Sequence, residues 1–333
     1  MIQTTAYARA GLLGNPSDGY HGRTISFVFK RFESSVRLSE SDNVELVPSE
    51  LERLKFNSVA DLRNQIRKNG YYGGLRLLKS VIKVFGDYSD KHGKGDLKPF
   101  RISFESNIPQ QVGLSGSSAI AIASLKALFQ WNDLKAQPVE VAQLALNAEA
   151  DLGISIGPQD RVIQAFEGML FMDFGNIGSG ANVDLGRGEY HRLSTDCLSG
   201  IYVAYDASSA EPTEILHNNL RQRYDSGDKE VTDTLNQISD LALAGKKVIE
   251  KGDLESLSKL IDTNFDLRQK ICHLNPRHVE MVMTARDAGA SAKYCGSGGA
   301  IVGVFQDLET WRRLETNLNA IGCTVFQPVV PNP

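Results

Sequence analysis

"IPQQVGLSGSSAIAIASLKALF", residues Ile108–Phe129, places glycines and serines at the mouth of an apolar run. Gly and Ser are poor helix-interior residues and good turn or cap residues. The run behind them, Ala119 to Phe129, consists largely of helix formers. The stretch therefore reads as a glycine-rich loop entering a buried helix. Such a helix start presents unpaired backbone N–H groups and the positive end of a helix dipole, and both suit an anion. The alternative is a tightly packed helix start with no ligand.

Outward from this loop, residues 101–107 read as a strand that feeds it. Pro138 fits the first position of a helix running to about Asp151. "GISIGPQDRVIQAFEG" is a second glycine-bearing loop entering a short helix, and "GMLFMDF" is a strand. At the N-terminus, "TTAYARAGLLGNPSDGYHGRTISFVFKRF" reads as strand, loop, strand, and "SSVRLSESDNVELVP" as further strands. Residues 60–85 carry a helical pattern with a break at 70–74. The polar, glycine-rich stretch 175–188 marks a lobe boundary, so two lobes are expected, 1–190 and 191–333. The second half opens with the strand "GIYVAYD" and continues with helical patterns over 213–288. "AKYCGSGGAIVGVF" is strand, turn, strand; a helix over Leu308–Ala320 and a strand in "CTVFQPV" close the chain. The pattern is α+β, without the strict alternation of a doubly wound parallel sheet.

The chain has 333 residues, 41% hydrophobic and 23% charged, which gives room for two lobes in an ordinary globular protein. A formal net charge of −4 argues against a nucleic-acid partner but allows a local basic pocket for an anionic substrate. Cys197, Cys272, Cys295 and Cys323 are widely spaced and show no zinc-ligand spacing, so free thiols in a reducing compartment are expected. No basic segment with an apolar core opens the sequence, and no window of about 18 apolar residues occurs. The expectation is a cytoplasmic protein with no membrane partner; monomer or homodimer is left open.

GxxxxGK[ST] and an early GxGxxG are both absent, which argues against a P-loop or dinucleotide fold. Three other glycine-rich segments remain: Gly14–Gly22, Gly113–Ser118 and Gly296–Gly299. Between the second and third stand Glu149 and Asp160. Taken alone, Asp160 reads as a helix cap and Glu149 as a solvated helix face. Phosphoryl transfer needs both types: one carboxylate for magnesium, another for the proton of the attacking hydroxyl.

These motifs resemble those of the GHMP small-molecule kinases. Pro109, Gly113, Leu114, Ser117 and Ala119 resemble the family form P-x-x-x-G-L-x-S-S-A, with one extra residue after Leu114; "CGSGG", Cys295–Gly299, is similar to the third family motif, and "GNPSD" stands at the first. Several unusual stretches, "GNPSDGYHGRTIS", "NGYYGGLRLL", "LGISIGPQDRV", "LRQRY" and "NFDLRQK", resemble the glucuronokinase branch. The resemblance implies a ribosomal protein S5 domain 2-like N-terminal lobe and a ferredoxin-like C-terminal lobe. It implies ATP as co-substrate, Mg²⁺, and D-glucuronate as the acceptor at its anomeric hydroxyl. Another sugar 1-kinase of the family, for galacturonate, galactose or a heptose, and a catalytically silent sugar sensor are the alternatives.

The same resemblance implies roles by position. Gly113, Leu114, Ser115, Gly116, Ser117 and Ser118 would wrap the ATP phosphates, with Gly296, Ser297 and Gly298 approaching them. Ser117, or Ser118 in a shifted register, and Glu149 would hold the metal. Asp160 would be the catalytic base and Arg9 its partner. Asp18 would read sugar hydroxyls, although the galactokinase-type glutamate and histidine before it are missing here. A uronate demands a cation, most naturally an arginine fork; Arg161, Arg223 and Arg268 are candidates, with His21 and Tyr72 as further substrate contacts.

Overall fold

The computed structural model describes residues 1–48, 58–59, 63, 73–94, 97–154, 157–208 and 220–331. Two long strands organise the first layer: β1 (Ile2–Leu13) and β2 (Arg23–Ser39), paired antiparallel. Ala6, Ala8 and Ala10 alternate along one face of β1 and are fully buried. Small side chains there let a helix approach the sheet closely. That helix is α2 (Gly116–Trp131), and Thr4 Oγ1 donates to its Ala123 carbonyl at 2.6 Å.

The expected separate strands in "TISFVFKRF" and "SSVRLS" are one continuous β2. The irregularity falls on the step between Tyr7/Glu33 and Ala8/Phe29, a bulge in the pairing and not a turn. The bend lets one edge of β2 serve two partners: its first half pairs with β5 (Met169–Asp173), its second with β4 (Arg101–Ser106). β3 (Glu45–Leu46) and β6 (Glu189–Arg192) complete a six-stranded sheet in the order β3–β4–β2–β5–β6, with β1 beside β2.

Helix α1 (Gly74–Lys91), α2 (Gly116–Trp131), α3 (Pro138–Asp151) and α4 (Gln159–Phe166) pack together on this sheet. α2 is buried nearly all round because the sheet covers one side and α1 and α3 the other. α3 starts at Pro138, as the sequence indicates, behind a reciprocal capping box between Gln137 and Glu140. The helical reading of 60–72 lies outside the described residues, apart from 63.

The second sheet is β10–β7–β9–β8, all antiparallel: β7 (Ile201–Tyr205), β8 (Lys293–Tyr294), β9 (Ala300–Val304) and β10 (Thr324–Phe326). In chain order this is fourth–first–third–second, the strand order of a ferredoxin-like sandwich. α5 (Lys229–Glu250), α6 (Leu254–Ile271) and α7 (Pro276–Asp287) lie between β7 and β8, and α8 (Leu308–Ala320) between β9 and β10. The change of sheet falls between Arg192 and Ile201, so β6 straddles residue 190. The apolar core runs through the junction: Phe29 of the first sheet and Phe326 of the second have ring centroids 5.4 Å apart. That shared core brings the loops of both sheets together over one cavity.

Candidate active site

The glycine loop enters α2 through two left-handed residues, Gly113 (φ +72°) and Ser115 (φ +65°). A Cβ on Gly113 would stand 2.9 Å from both the Gly298 carbonyl oxygen and the Ser297 nitrogen. The second and third glycine turns thus meet backbone to backbone, and glycine is needed at their contact.

Arg9 of β1 joins these turns to Asp160. Its Nε donates to Asp160 Oδ1 at 2.7 Å and Nη2 to Oδ2 at 3.0 Å, a bidentate fork. Its Nη1 donates to the carbonyls of Gly113 (2.6 Å) and Cys295 (3.1 Å). The Ser115 hydroxyl donates to Asp160 Oδ2 at 2.6 Å. Asp160 lies in the first turn of α4 but its side chain does not cap that helix. Burial opposes its ionisation; the Arg9 charge and hydrogen bonds, aided by Arg161 and Ser115, more than offset this and hold the carboxyl below its ordinary value.

Asp18 is the second carboxylate of the cavity. It accepts from the Gln159 backbone N–H at 3.3 Å and from Gln159 Nε2 at 3.4 Å. Burial, then the charge of Asp160, pushes it up to about 6. Gly157 is required beside it, because a Cβ there would overlap Asp18 Oδ2.

Glu149, near the end of α3, is fully buried and forms an ion pair with Arg161. Arg161 also donates to the Gly157 carbonyl at 2.7 Å. Ser117 Oγ donates to Glu149 Oε1 at 3.1 Å, so a hydroxyl and a carboxylate oxygen converge in the first turn of α2. Two hard oxygens beside a phosphate-type loop fit a magnesium ion that takes its remaining ligands from phosphate and water. Among the described residues no group of three or more His, Cys, Asp or Glu could hold a metal by itself.

One cavity of about 510 Å³ collects these parts. Of the residues singled out in the sequence, Arg9, Asp18, Gly113 to Ser117, Asp160, Arg268, Gly296 and Ser297 line it. Ser118, Glu149 and Gly298 stand behind its wall. Three substrate expectations are not met by placement. Arg161 is spent on Glu149. Arg223 pairs with Asp228 (2.7 Å) and Glu230 (3.2 Å), away from the cavity. His21 contacts Ser179 Oγ at 3.1 Å, also outside the lining. Tyr72 lies outside the described residues. Arg268 reaches the cavity but directs its terminal nitrogens to the carbonyls of Gly296 (2.7 Å) and Ser297 (3.4 Å), bracing the third turn.

Sequence reading missed Gln159 and Arg221. Gln159 stands beside Asp160 in the quoted "GPQD", and its Oε1 accepts from Ser26 Oγ at 2.9 Å while its nitrogens hold Asp18. Arg221 lies two residues before Arg223, and on a helix residues so spaced face different ways.

Residues 76–168 match the family described as GHMP kinases N terminal domain. The solved phosphomevalonate kinase of Streptococcus pneumoniae superposes with a TM-score of 0.75 over 99% of both chains, at 14% identity. The chain belongs to the GHMP kinase family: it is an ATP-binding sugar kinase, a phosphotransferase with an alcohol group as acceptor. Within that family it is similar to "Probable glucuronokinase 2" of Arabidopsis thaliana, 38% identical over 312 residues, 91% of this chain and 84% of that protein. It is 37% identical to "Glucuronokinase 1" of the same plant over 90% of this chain and 84% of that protein. No helix among the described residues is long and apolar enough to cross a membrane.

Proposed function

We propose that this kinase transfers the γ-phosphoryl group of ATP to the anomeric hydroxyl of D-glucuronate, giving glucuronate 1-phosphate and ADP, in cytoplasmic salvage toward UDP-glucuronate. The observation that carries the chemistry is Asp160, a buried carboxylate kept ionised by Arg9 at the wall shared by the glycine turns and Asp18. The two glucuronokinase relatives supply the choice of sugar.

In this reading residues 1–190 carry the phosphate loop and Asp160, and residues 191–333 bring Arg268 and the third turn. The N–H groups of Gly113 to Ser118 and the α2 dipole receive the ATP phosphates. Asp160 orients the anomeric hydroxyl and takes its proton; this hydroxyl is more acidic than an ordinary alcohol, so an ionised aspartate suffices. Arg9 fixes that carboxylate by two hydrogen bonds and adds positive charge beside the transferring group. Asp18, held by Gln159, accepts from sugar hydroxyls. Ser117 and Glu149 would hold Mg²⁺, which when bound offsets charge on the phosphate oxygens. Catalysis is then mainly positioning and electrostatics.

A panel of glucuronate, galacturonate, galactose and heptose with coupled ADP detection tests the substrate. Turnover of galactose without turnover of glucuronate overturns the reading. Turnover by the wild type separates a working kinase from a silent sugar sensor, and turnover retained in Asp160→Ala would show that the base is misassigned.

A further inference from the structure

A uronate differs from a neutral sugar by its carboxylate, and four arginines line the cavity: Arg9, Arg76, Arg221 and Arg268. Arg9 is consumed by Asp160 and two carbonyls, and the terminal nitrogens of Arg268 by the third glycine turn. Arg76 donates to the Leu152 carbonyl at 3.3 Å, in the loop that leaves α3 just past Glu149. Arg221 is differently placed. Its Nη2 donates to the Gly19 carbonyl at 2.8 Å, and its guanidinium lies 4.6 Å from the centroid of the Tyr20 ring. Tyr20 in turn packs on Tyr224 with centroids 4.7 Å apart.

These contacts fix the guanidinium, and its one carboxylate neighbour among the described residues is a distant one. Its ion pair with Asp225 spans 3.7 Å, beyond hydrogen-bonding distance, and the two side chains are about half exposed. Nε and Nη1 make no other hydrogen bond among the described residues. The position is also tied to the catalytic base. Gln159, next to Asp160, binds Asp18; Asp18 precedes Gly19; and Gly19 holds Arg221. Arg221, Asp18 and Asp160 line the same cavity, so one sugar placed there can meet all three.

We propose that Arg221 recognises the carboxylate of the sugar substrate and so sets the preference for a uronate over a neutral sugar. The assignment rests on the glucuronate reading above. Gly19 takes one hydrogen of Nη2; the other, with the neighbouring Nε or Nη1, gives the planar two-donor fork that a carboxylate accepts.

The test compares D-glucuronate with its uncharged amide, D-glucuronamide, in the wild type, Arg221→Gln and Arg221→Lys. Dissociation constants for both sugars and for ATP are read by calorimetry, and kcat and KM by coupled ADP release. Arg221→Gln is expected to weaken glucuronate roughly 10- to 100-fold, the range for a charge-assisted hydrogen bond. Glucuronamide and ATP should stay within about twofold of the wild type on the same argument. Arg221→Lys, which keeps charge but loses the fork, should fall between. Equal losses for glucuronate and glucuronamide would show that Arg221 only positions Gly19, and unchanged glucuronate binding would remove it from the site; either result overturns the assignment. A wild type that fails to phosphorylate glucuronate overturns the functional reading instead, and the assignment with it. Because Arg221 is exposed, both variants should keep the wild-type melting temperature, and ATP binding reports their folding independently.

Discussion

Replacing Asp18 by Asn measures what a second buried carboxylate costs the fold. Asp18 stands 6% exposed with its pKa raised from 3.8 to about 6 by burial and by Asp160. Between those two values the native state binds more protons than the unfolded chain, so stability falls as pH rises through the window and levels off above it. A shift of roughly two units corresponds to about 3 kcal/mol of destabilisation at pH 8. Asn carries no charge and escapes this. It also turns an amide donor toward Gln159, which now donates twice to Asp18, at a cost of about 1 kcal/mol. Asp18→Asn should therefore be more stable than the wild type by about 2 kcal/mol at pH 8, and that margin should shrink by about 1 kcal/mol at pH 5. Urea unfolding at both pH values reads the difference, and other titrating groups cancel in the comparison. The variant should pay in function, with kcat/KM for the sugar reduced and ATP binding kept. Equal or lower stability at pH 8, or a margin that does not change with pH, refutes the reasoning.

Asp160→Asn should lower kcat by about 10²- to 10⁴-fold in the coupled ADP assay, as expected for a lost general base, and lower the melting temperature because Arg9 is left buried without its charge partner. Arg161→Met strands the Glu149 charge and should cost about 3–5 kcal/mol in urea unfolding, whereas Arg161→Met combined with Glu149→Leu should recover most of that stability and none of the activity. Gly113→Ala forces a side chain into a left-handed turn against the Gly298 carbonyl; about 1–3 kcal/mol of stability should be lost and the KM for ATP should rise more than the KM for the sugar. In the wild type the KM for the sugar should climb as pH falls below about 6, where Asp18 takes up its proton, while Asp160 stays ionised.

The parts of the fold legible in the sequence are those governed by neighbours along the chain. Pro138 and the Leu308–Ala320 pattern mark helix bounds because a first-position proline and an amphipathic stripe act locally. The continuity of β2 was not legible: its break is a bulge set by pairing with β1, and no turn residue signals it. The site divides in the same way. The loop at Gly113 to Ser118 shows in its glycines, and Asp160 with Arg9 through the family resemblance. That Asp160 binds Ser115 instead of capping α4, and that Arg161 serves Glu149 instead of a ligand, depends on contacts across 45 and 12 residues. The choice between Arg221 and Arg223 turns on which helix face meets the Gly19 loop, some 200 residues earlier.

The most direct measurement is phosphorus NMR of the product formed from D-glucuronate and MgATP by the purified protein. The account predicts a phosphate resonance coupled to the anomeric proton, formed in step with ADP and at least about 100-fold more slowly with Asp160→Asn. A phosphate on any other hydroxyl, or ADP release that does not depend on glucuronate, contradicts it.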